Sequence, residues 1–238
     1  FVSSYAMFCP GRCWEQIRTT ICYNDQNVKV IGAHAGVSVG PDGATHQALE
    51  DIAIMRSLPN MIVIVPADYE QTRKATKAIA KFKGPAYMRF AREKTDQLTT
   101  FRTPFKIGKA QVLKEGKDVV LIGAGPVVSE CLKAAKLLQK RRINAAVINS
   151  HTIKPLDGKT ILSAAKQCGK VVTVEEHQIT GGLGGAVTEF LSERYPVPVK
   201  RIGVKDRYGE SGTPDQLLKK FGFSAQHIFK ETLKLVRR

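Results

Sequence analysis

The residues best suited to chemistry lie in one glycine-rich stretch that contains His34, Asp42 and His46. Imidazole groups can transfer protons near neutral pH, and a carboxylate can accept hydrogen bonds from sugar hydroxyl groups. Three glycines between the two histidines allow the backbone to approach a ligand without obstruction by side chains. By itself this pattern indicates a binding loop but no particular reaction, because Asp-Gly also occurs in ordinary turns.

The flanking residues predict how this loop is positioned. A short buried strand is predicted over 28–33, and the apolar spacing after the loop predicts a helix over 47–56. A β-branched run at 61–65, closed by Pro66, predicts another strand. A loop that leaves a strand and enters a helix lies where parallel α/β sheets bind ligands, at the carboxyl ends of the strands.

Strands and helices alternate along the rest of the chain, which predicts an α/β fold with two doubly wound, mostly parallel sheets covered by helices. Further strands are predicted at 86–90, 110–113, 118–123, 145–149, 171–174 and 199–202, and helices at 13–21, 68–81, 127–139, 157–167, 181–195, 214–221 and 224–235. A polar segment without sustained periodicity interrupts this alternation. We therefore expect one domain over 1–92, a linker over 93–105 and a second domain over 106–238.

Composition narrows the class of protein. Of 238 residues, 43% are hydrophobic and 24% are charged, which is typical of a globular protein with a packed core. No apolar run approaches the roughly 20 residues of a transmembrane helix, so we expect no membrane partner. The five cysteines contain no CxxC pair, which indicates reduced thiols in a cytoplasmic protein and no metal site built from them.

The net charge of +16 allows three interpretations: a solvated lysine-rich surface, attraction of phosphorylated molecules, or binding of nucleic acid. The basic residues are scattered, without the compact tract or interleaved aromatic residues of an RNA-binding surface. We therefore favour the solvated surface, place phosphate attraction second and expect no nucleic-acid partner. A basic, nucleic-acid-associated or scaffolding α/β protein stays open as the non-enzymatic alternative.

Several separated motifs resemble the transketolase family in their order along the chain. The stretch 33–51 resembles the family's pyrimidine-domain motif: a histidine, a glycine-rich loop, Asp-Gly, a Thr-His pair and a helix. The resemblance continues at 4–8, 15–18, 55–60, 65–68, 152–157, 174–177 and 181–184. It implies that 1–92 is part of a thiamine-diphosphate pyrimidine-binding domain, with its N-terminal segment missing, and that 106–238 is a transketolase C-terminal domain.

The resemblance implies an enzyme of carbohydrate metabolism, in the pentose phosphate pathway. Such a transferase moves a two-carbon ketol unit between sugar phosphates. Tyr5 and Phe8 match positions that pack on the aminopyrimidine ring of thiamine diphosphate, where stacking contributes roughly 0.5–1.5 kcal/mol. His46 matches a position near the cofactor's amino group and the reacting oxygen, where it would act in catalysis by hydrogen bonding or proton transfer.

The resemblance also implies contacts with the sugar. Asp42 would accept a hydrogen bond from a sugar hydroxyl group, and His34 would serve binding and catalysis farther along the substrate channel. Arg92 matches a phosphate-contacting position, which suits a guanidinium because it donates two parallel hydrogen bonds to a phosphate. The second domain is expected to serve mainly subunit contact, so the cluster of Glu175, Glu176 and His177 is assigned a structural role.

Two parts of a transketolase site are missing from this sequence. In the family an activating glutamate precedes the aromatic pair, and the diphosphate and its divalent metal, Mg²⁺ or Ca²⁺, bind to a separate N-terminal domain. The resemblance therefore implies a subunit of a split enzyme that is inactive without an N-terminal transketolase subunit, assembled as a homodimer or heterotetramer. Truncation of one long polypeptide is the other interpretation.

Two related enzymes remain as alternatives. Deoxyxylulose-phosphate synthases share the Asp-Gly-x-Thr-His arrangement, but they usually carry arginine where this chain has His34. The β subunits of 2-oxo-acid dehydrogenases have a loop that resembles this one less. The sequence therefore favours transketolase.

Overall fold

The computed structural model describes residues 1–237 and contains two five-stranded sheets with helices packed against them. The strands are β1 (Val2–Tyr5), β2 (Lys29–Ala33), β3 (Ile62–Ile64), β4 (Ala86–Phe90), β5 (Gln111–Lys114), β6 (Val119–Gly123), β7 (Ala145–Asn149), β8 (Thr152–Lys154), β9 (Val171–Gln178) and β10 (Val199–Val204). The helices are α1 (Cys9–Gln16), α2 (Asp51–Arg56), α3 (Tyr69–Lys81), α4 (Val128–Gln139), α5 (Gly158–Cys168), α6 (Leu183–Arg194), α7 (Pro214–Lys220) and α8 (Ala225–Val236). A π-helical turn spans Ile17–Tyr23, and a 3₁₀ segment spans Val37–Asp42.

The first sheet has the strand order β1-β2-β4-β3-β8. Strands β1 to β4 are parallel, and β8 pairs with β3 in the antiparallel direction. Tyr5 at the end of β1 lies opposite Ala33 at the end of β2. Because the carboxyl ends of these strands meet at one edge of the sheet, the residues that follow them are brought together there.

The second sheet has the order β10-β9-β6-β7-β5, and its strands are parallel except for β5, which pairs with β7 in the antiparallel direction. The predicted fold class of two mostly parallel sheets is confirmed, with one antiparallel edge strand in each sheet. None of the helices within residues 1–237 is long and apolar enough to cross a membrane.

The helix predicted over 47–56 begins later than expected, at Asp51. Gln47 lies at the start of a segment whose apolar residues have helical spacing. Its side chain, however, is buried and donates to carbonyl oxygens of the preceding loop. The backbone N–H of Gly36 also donates to the carbonyl oxygen of Ala48. These contacts hold the segment before α2 in an irregular conformation, so the helical spacing alone placed the start of the helix wrongly.

Two short strands were not predicted. Strand β1 is mostly exposed and polar, and β8 has only three residues, so neither has a clear alternating pattern. Strand β8 comes from the second α/β unit but extends the sheet of the first one, where Lys154 lies opposite Val63. The Lys154 ammonium group donates to the carbonyl oxygens of Arg56 and Leu58, which fastens this crossover strand.

The segment over 93–105 contains no helix or strand but is firmly attached to the first unit. Asp68 caps α3 by accepting the backbone N–H of Gln71 at 2.8 Å. The same carboxylate accepts the backbone N–H groups of Leu98 and Thr99 and the Thr99 hydroxyl group. A buried carboxylate that accepts four hydrogen bonds holds its donors in place, so the segment over 93–105 is fixed to α3 at this point.

The main apolar core is shared by both α/β units. Val63 of β3, Ile148 of β7 and Leu183 of α6 belong to one cluster of buried side chains. Full burial of such a side chain stabilises a fold by roughly 1.5–3 kcal/mol. The second unit therefore forms a fixed support behind the first sheet.

Candidate active site

Four rings meet at the carboxyl ends of β1 and β2. The rings of Tyr5, which ends β1, and His34, which follows β2, have centroids 4.5 Å apart. The His46 ring approaches Tyr5 and Phe8 edge-on, with centroid distances of 5.6 and 5.2 Å. All four side chains are half-buried. We call Tyr5, Phe8, His34 and His46 the aromatic cluster; the structure brings these four predicted site residues together.

The two histidines of the aromatic cluster differ in their hydrogen bonds. His46 Nδ1 lies 2.9 Å from Thr45 Oγ1, which orients the ring. His34 Nδ1 is buried and has no hydrogen-bond partner within residues 1–237. His34 also has a backbone φ of +55°, in the left-handed region that side chains rarely adopt. A buried unpaired nitrogen on a strained backbone is typical of a ligand site.

Asp42 and Arg92, the other two predicted site residues, form an ion pair. Arg92 Nη1 lies 3.0 Å from Asp42 Oδ1 and also donates to the carbonyl oxygen of Val39 at 3.3 Å. The arginine thus reaches from the end of β4 to the loop that carries the histidines. The structure brings the predicted hydroxyl-binding and phosphate-binding residues into direct contact.

Residues 34–46, which we call the histidine loop, are supported by a buried carboxylate of the second unit. The backbone N–H of Ser38 donates to Glu176 Oε2 at 3.0 Å. Burial raises the pKa of Glu176 above its ordinary value. A Cβ atom on Gly36 would lie 2.6 Å from Glu176 Oε2, so only glycine fits at this contact. From the sequence we expected a structural role for Glu176, but no pattern in the sequence indicated that it contacts this loop.

A buried polar network lies beneath the loop. Arg89 Nη1 donates to Asp51 Oδ1 at 2.9 Å, and the Tyr87 hydroxyl group donates to Asp51 Oδ2 at 2.6 Å. Arg89 Nη2 donates to the carbonyl oxygen of Glu176 at 3.0 Å, which links β4 to β9. Burial raises the pKa of Tyr87 well above its ordinary value, so the phenol stays protonated as a donor. The signal for this network in the sequence was Arg89 within the apolar strand β4, because a buried arginine is almost always paired with a carboxylate or another acceptor.

A concavity of about 530 Å³ adjoins Arg92. Its wall also contains Tyr69, Phe90 and Lys94, and the aromatic cluster lies outside this wall. The wall carries Arg92 and Lys94 but also the carboxylates of Asp68 and Glu93, so its formal charges balance and it is polar without an excess of either sign.

Known proteins resemble this chain over nearly its whole length. Residues 1–97 match the transketolase pyrimidine binding domain, and residues 108–228 match the transketolase C-terminal domain. The chain belongs to the transketolase family. The resemblance seen in the sequence motifs is thereby confirmed.

Relatives within the transketolase family include separate subunits. The chain is 43% identical over its full length to a protein of Methanocaldococcus jannaschii assigned as a transketolase C-terminal section, of which it covers 75%. It is 38% identical to a 6-deoxy-6-sulfo-D-fructose transketolase subunit of Clostridium sp., covering 74% of that subunit. Human transketolase is 37% identical, but the chain spans only 38% of it.

Solved transketolase structures agree with the fold. A split-gene transketolase, described as an inactive β4 tetramer, has a TM-score of 0.93 and 44% identity, over 99% of this chain and 75% of that one. The Campylobacter jejuni transketolase has a TM-score of 0.81 at 22% identity, which shows the shared fold.

The aromatic cluster fits the thiamine diphosphate on which transketolases depend. Tyr5 and Phe8 present half-buried rings to a planar heterocycle, and the unpaired His34 Nδ1 offers a polar contact beside them. Within residues 1–237 no group of three or more His, Cys, Asp or Glu side chains is arranged to hold a metal ion.

Proposed function

We propose that this chain is the C-terminal subunit of a split transketolase that transfers a two-carbon ketol unit between sugar phosphates. The observation that carries the proposal is that one loop, 34–46, brings His34 and His46 into the aromatic cluster and also carries Asp42, which pairs with Arg92. One part suits a planar cofactor ring, and the other suits a hydroxylated, anionic substrate.

Bound thiamine diphosphate supplies the nucleophilic carbon and accepts the electrons of the cleaved carbon–carbon bond. The residues of this chain bind the cofactor, orient the sugar and transfer protons to and from it. Tyr5 and Phe8 hold the aminopyrimidine ring, and His46, oriented by Thr45, donates or accepts a proton at the reacting oxygen of the sugar. His34, which follows β2, contacts the sugar farther along the substrate channel, towards its phosphate end.

The substrate is held at its hydroxyl and phosphate groups. Asp42 accepts a hydrogen bond from a sugar hydroxyl group, and Arg92, at the edge of the adjoining concavity, binds the phosphate. Two relatives are named as transketolase subunits, one for 6-deoxy-6-sulfo-D-fructose and one for apulose 4-phosphate. A sulfonate and a phosphate are both anionic groups, which supports an anion-binding role for Arg92.

Binding of the diphosphate and the metal belongs to an N-terminal subunit. We infer that it binds the diphosphate and a divalent metal, Mg²⁺ or Ca²⁺, so that this chain alone is inactive. Relatives that are sections or subunits, of which the chain covers about three quarters, support this inference. We propose that the enzyme works as a homodimer or heterotetramer in the cytoplasm, in the pentose phosphate pathway.

Replacement of His46 tests the proposed reaction. In enzyme reconstituted with the N-terminal subunit, thiamine diphosphate and metal, His46→Ala should lower ketol transfer from xylulose 5-phosphate at least ~10-fold, because a proton-transfer group contributes about 10²–10⁴-fold. His227→Ala, on α8 of the second unit, is the matched control and should keep wild-type activity. Wild-type activity of the His46 variant would disprove the proposed role.

The alternative functions give different results with the same material. Condensation with pyruvate would indicate a deoxyxylulose-phosphate synthase, and acylation of a lipoyl group would indicate a 2-oxo-acid dehydrogenase component. A basic nucleic-acid-binding protein would instead be retained on DNA or RNA, with affinity that falls steeply as salt rises. It would also show no thermal stabilisation by the cofactor in the presence of the partner subunit.

A further inference from the structure

Gln47 joins the histidine loop to the second α/β unit. Its side chain is only 2% exposed. Its Nε2 donates to the carbonyl oxygens of Val37 at 3.2 Å and Gly40 at 3.1 Å, both within the loop. The same atom donates to the carbonyl oxygen of Glu210 at 2.9 Å, in the segment between β10 and α7. The two N–H bonds of this amide are therefore shared among three carbonyl oxygens, two of them in buried contacts, which restrains the side chain.

The segment of the second unit around Glu210 packs against the loop without free space. A Cβ atom on Gly209 would lie 1.6 Å from Gln47 Oε1, so an alanine there would displace the Gln47 side chain. A Cβ atom on Gly43 would lie 2.6 Å from Ser211 Oγ, and Gly43 has a φ of +74°. Glycine is required on both sides of this contact, because any side chain would separate the two segments.

The contact at Gln47 bears directly on the functional groups of the loop. Gln47 follows His46, and the backbone N–H groups of both residues donate to the carbonyl oxygen of Gly43, at 3.2 and 3.0 Å. Gly43 in turn follows Asp42. A displacement of Gln47 is therefore passed to His46 through the chain and to Asp42 through the shared carbonyl group.

We infer that Gln47 is a positioning residue for ketol transfer, and that through it the second unit sets the placement of His46 and Asp42. The inference rests on the proposed function and extends it. The resemblance to transketolases implied that the second domain serves mainly subunit contact. The contacts of Gln47 give this domain a further part, in placing the reacting groups. A misplacement of about 1 Å at a reacting group can lower a rate about 100-fold.

Gln47→Met removes the two donors while it keeps the length of the side chain. In the reconstituted enzyme we expect kcat/KM to fall roughly 10- to 100-fold. Gln226→Met, an exposed glutamine on α8, is the matched control and should leave kcat/KM unchanged. Gly209→Ala reaches the same contact from the other side and should lower kcat/KM in the same way. Its control is Gly11→Ala, whose Cβ atom would meet no atom within 4 Å.

Two further readouts separate positioning from a general loss of stability. Hydrogen–deuterium exchange of the full chain should become faster at residues 36–47 in Gln47→Met, with exchange elsewhere unchanged. The double variant with His46→Ala should lose less than the product of the two single losses, because Gln47 acts through His46. Multiplicative losses, unchanged exchange or wild-type kinetics would each overturn the inference.

The same experiment distinguishes failure of this inference from failure of the proposed function. If wild-type reconstituted enzyme transfers no ketol unit, the proposed function is wrong, and the exchange measurement alone decides whether Gln47 holds the loop. If the wild-type enzyme is active and Gln47→Met has the same kcat/KM, the proposed function stands and the positioning role is wrong.

Discussion

Arg92 Nη1 lies 3.0 Å from Asp42 Oδ1, and the two side chains are 39% and 27% exposed. An ion pair at this exposure contributes only about 0–1 kcal/mol to folding, because water competes with it. The pair can therefore open when an anionic ligand arrives, without loss of the fold. Until then it holds the guanidinium group over the loop that carries the histidines.

Arg92→Ala should raise KM for a phosphorylated ketose roughly 10- to 100-fold, since hydrogen bonds to charged groups contribute about 1.5–3 kcal/mol. Arg92→Lys should give a smaller loss, because lysine keeps the charge but lacks the two parallel donors. Steady-state kinetics with phosphorylated and unphosphorylated ketose donors will check this. Equal losses with both donors would contradict a phosphate contact.

Tyr5→Leu should weaken the binding of thiamine diphosphate roughly two- to tenfold, because it removes the aromatic contact on the aminopyrimidine ring. Tyr5→Phe keeps the ring and should bind the cofactor as tightly as the wild type. Titration of the reconstituted enzyme with thiamine diphosphate, followed by protein fluorescence, measures both affinities. Equal affinities for the leucine and phenylalanine variants would argue against stacking.

His151 should make the fold sensitive to mild acid. Its side chain is fully buried and stacks on Phe105 with a centroid distance of 4.4 Å, and burial lowers the pKa of His151 to about 4. Between pH 6.5 and 4 the unfolded chain binds a proton that the folded chain excludes, so stability falls as pH falls through this range, by about 3 kcal/mol in total.

Urea unfolding at a series of pH values will measure this loss of stability. His151→Gln should show a shallower slope between pH 6.5 and 4, because glutamine does not titrate. A slope identical to that of the wild type would mean that His151 does not cause the acid sensitivity.

The sequence predicted the fold class because alternating strands and helices require a sheet covered on both faces. It also predicted that His34, Asp42 and His46 belong to one loop, since they are close along the chain. It did not predict the start of α2, because the helical spacing of 47–56 ignores the buried hydrogen bonds of Gln47. Strand β8 escaped prediction because three residues are too few to show a period.

The sequence by itself determined the chemical types at the site: two imidazoles, a carboxylate, a guanidinium group and two aromatic rings, on elements with a definite local preference. Only the tertiary structure decided that Arg92 pairs with Asp42, and that Glu176 and Glu210 of the second unit hold the histidine loop. Local periodicity reflects the burial of one face of an element. These contacts join residues 50, 138 and 163 positions apart, so they depend on how strands, loops and sheets pack, which no local pattern encodes.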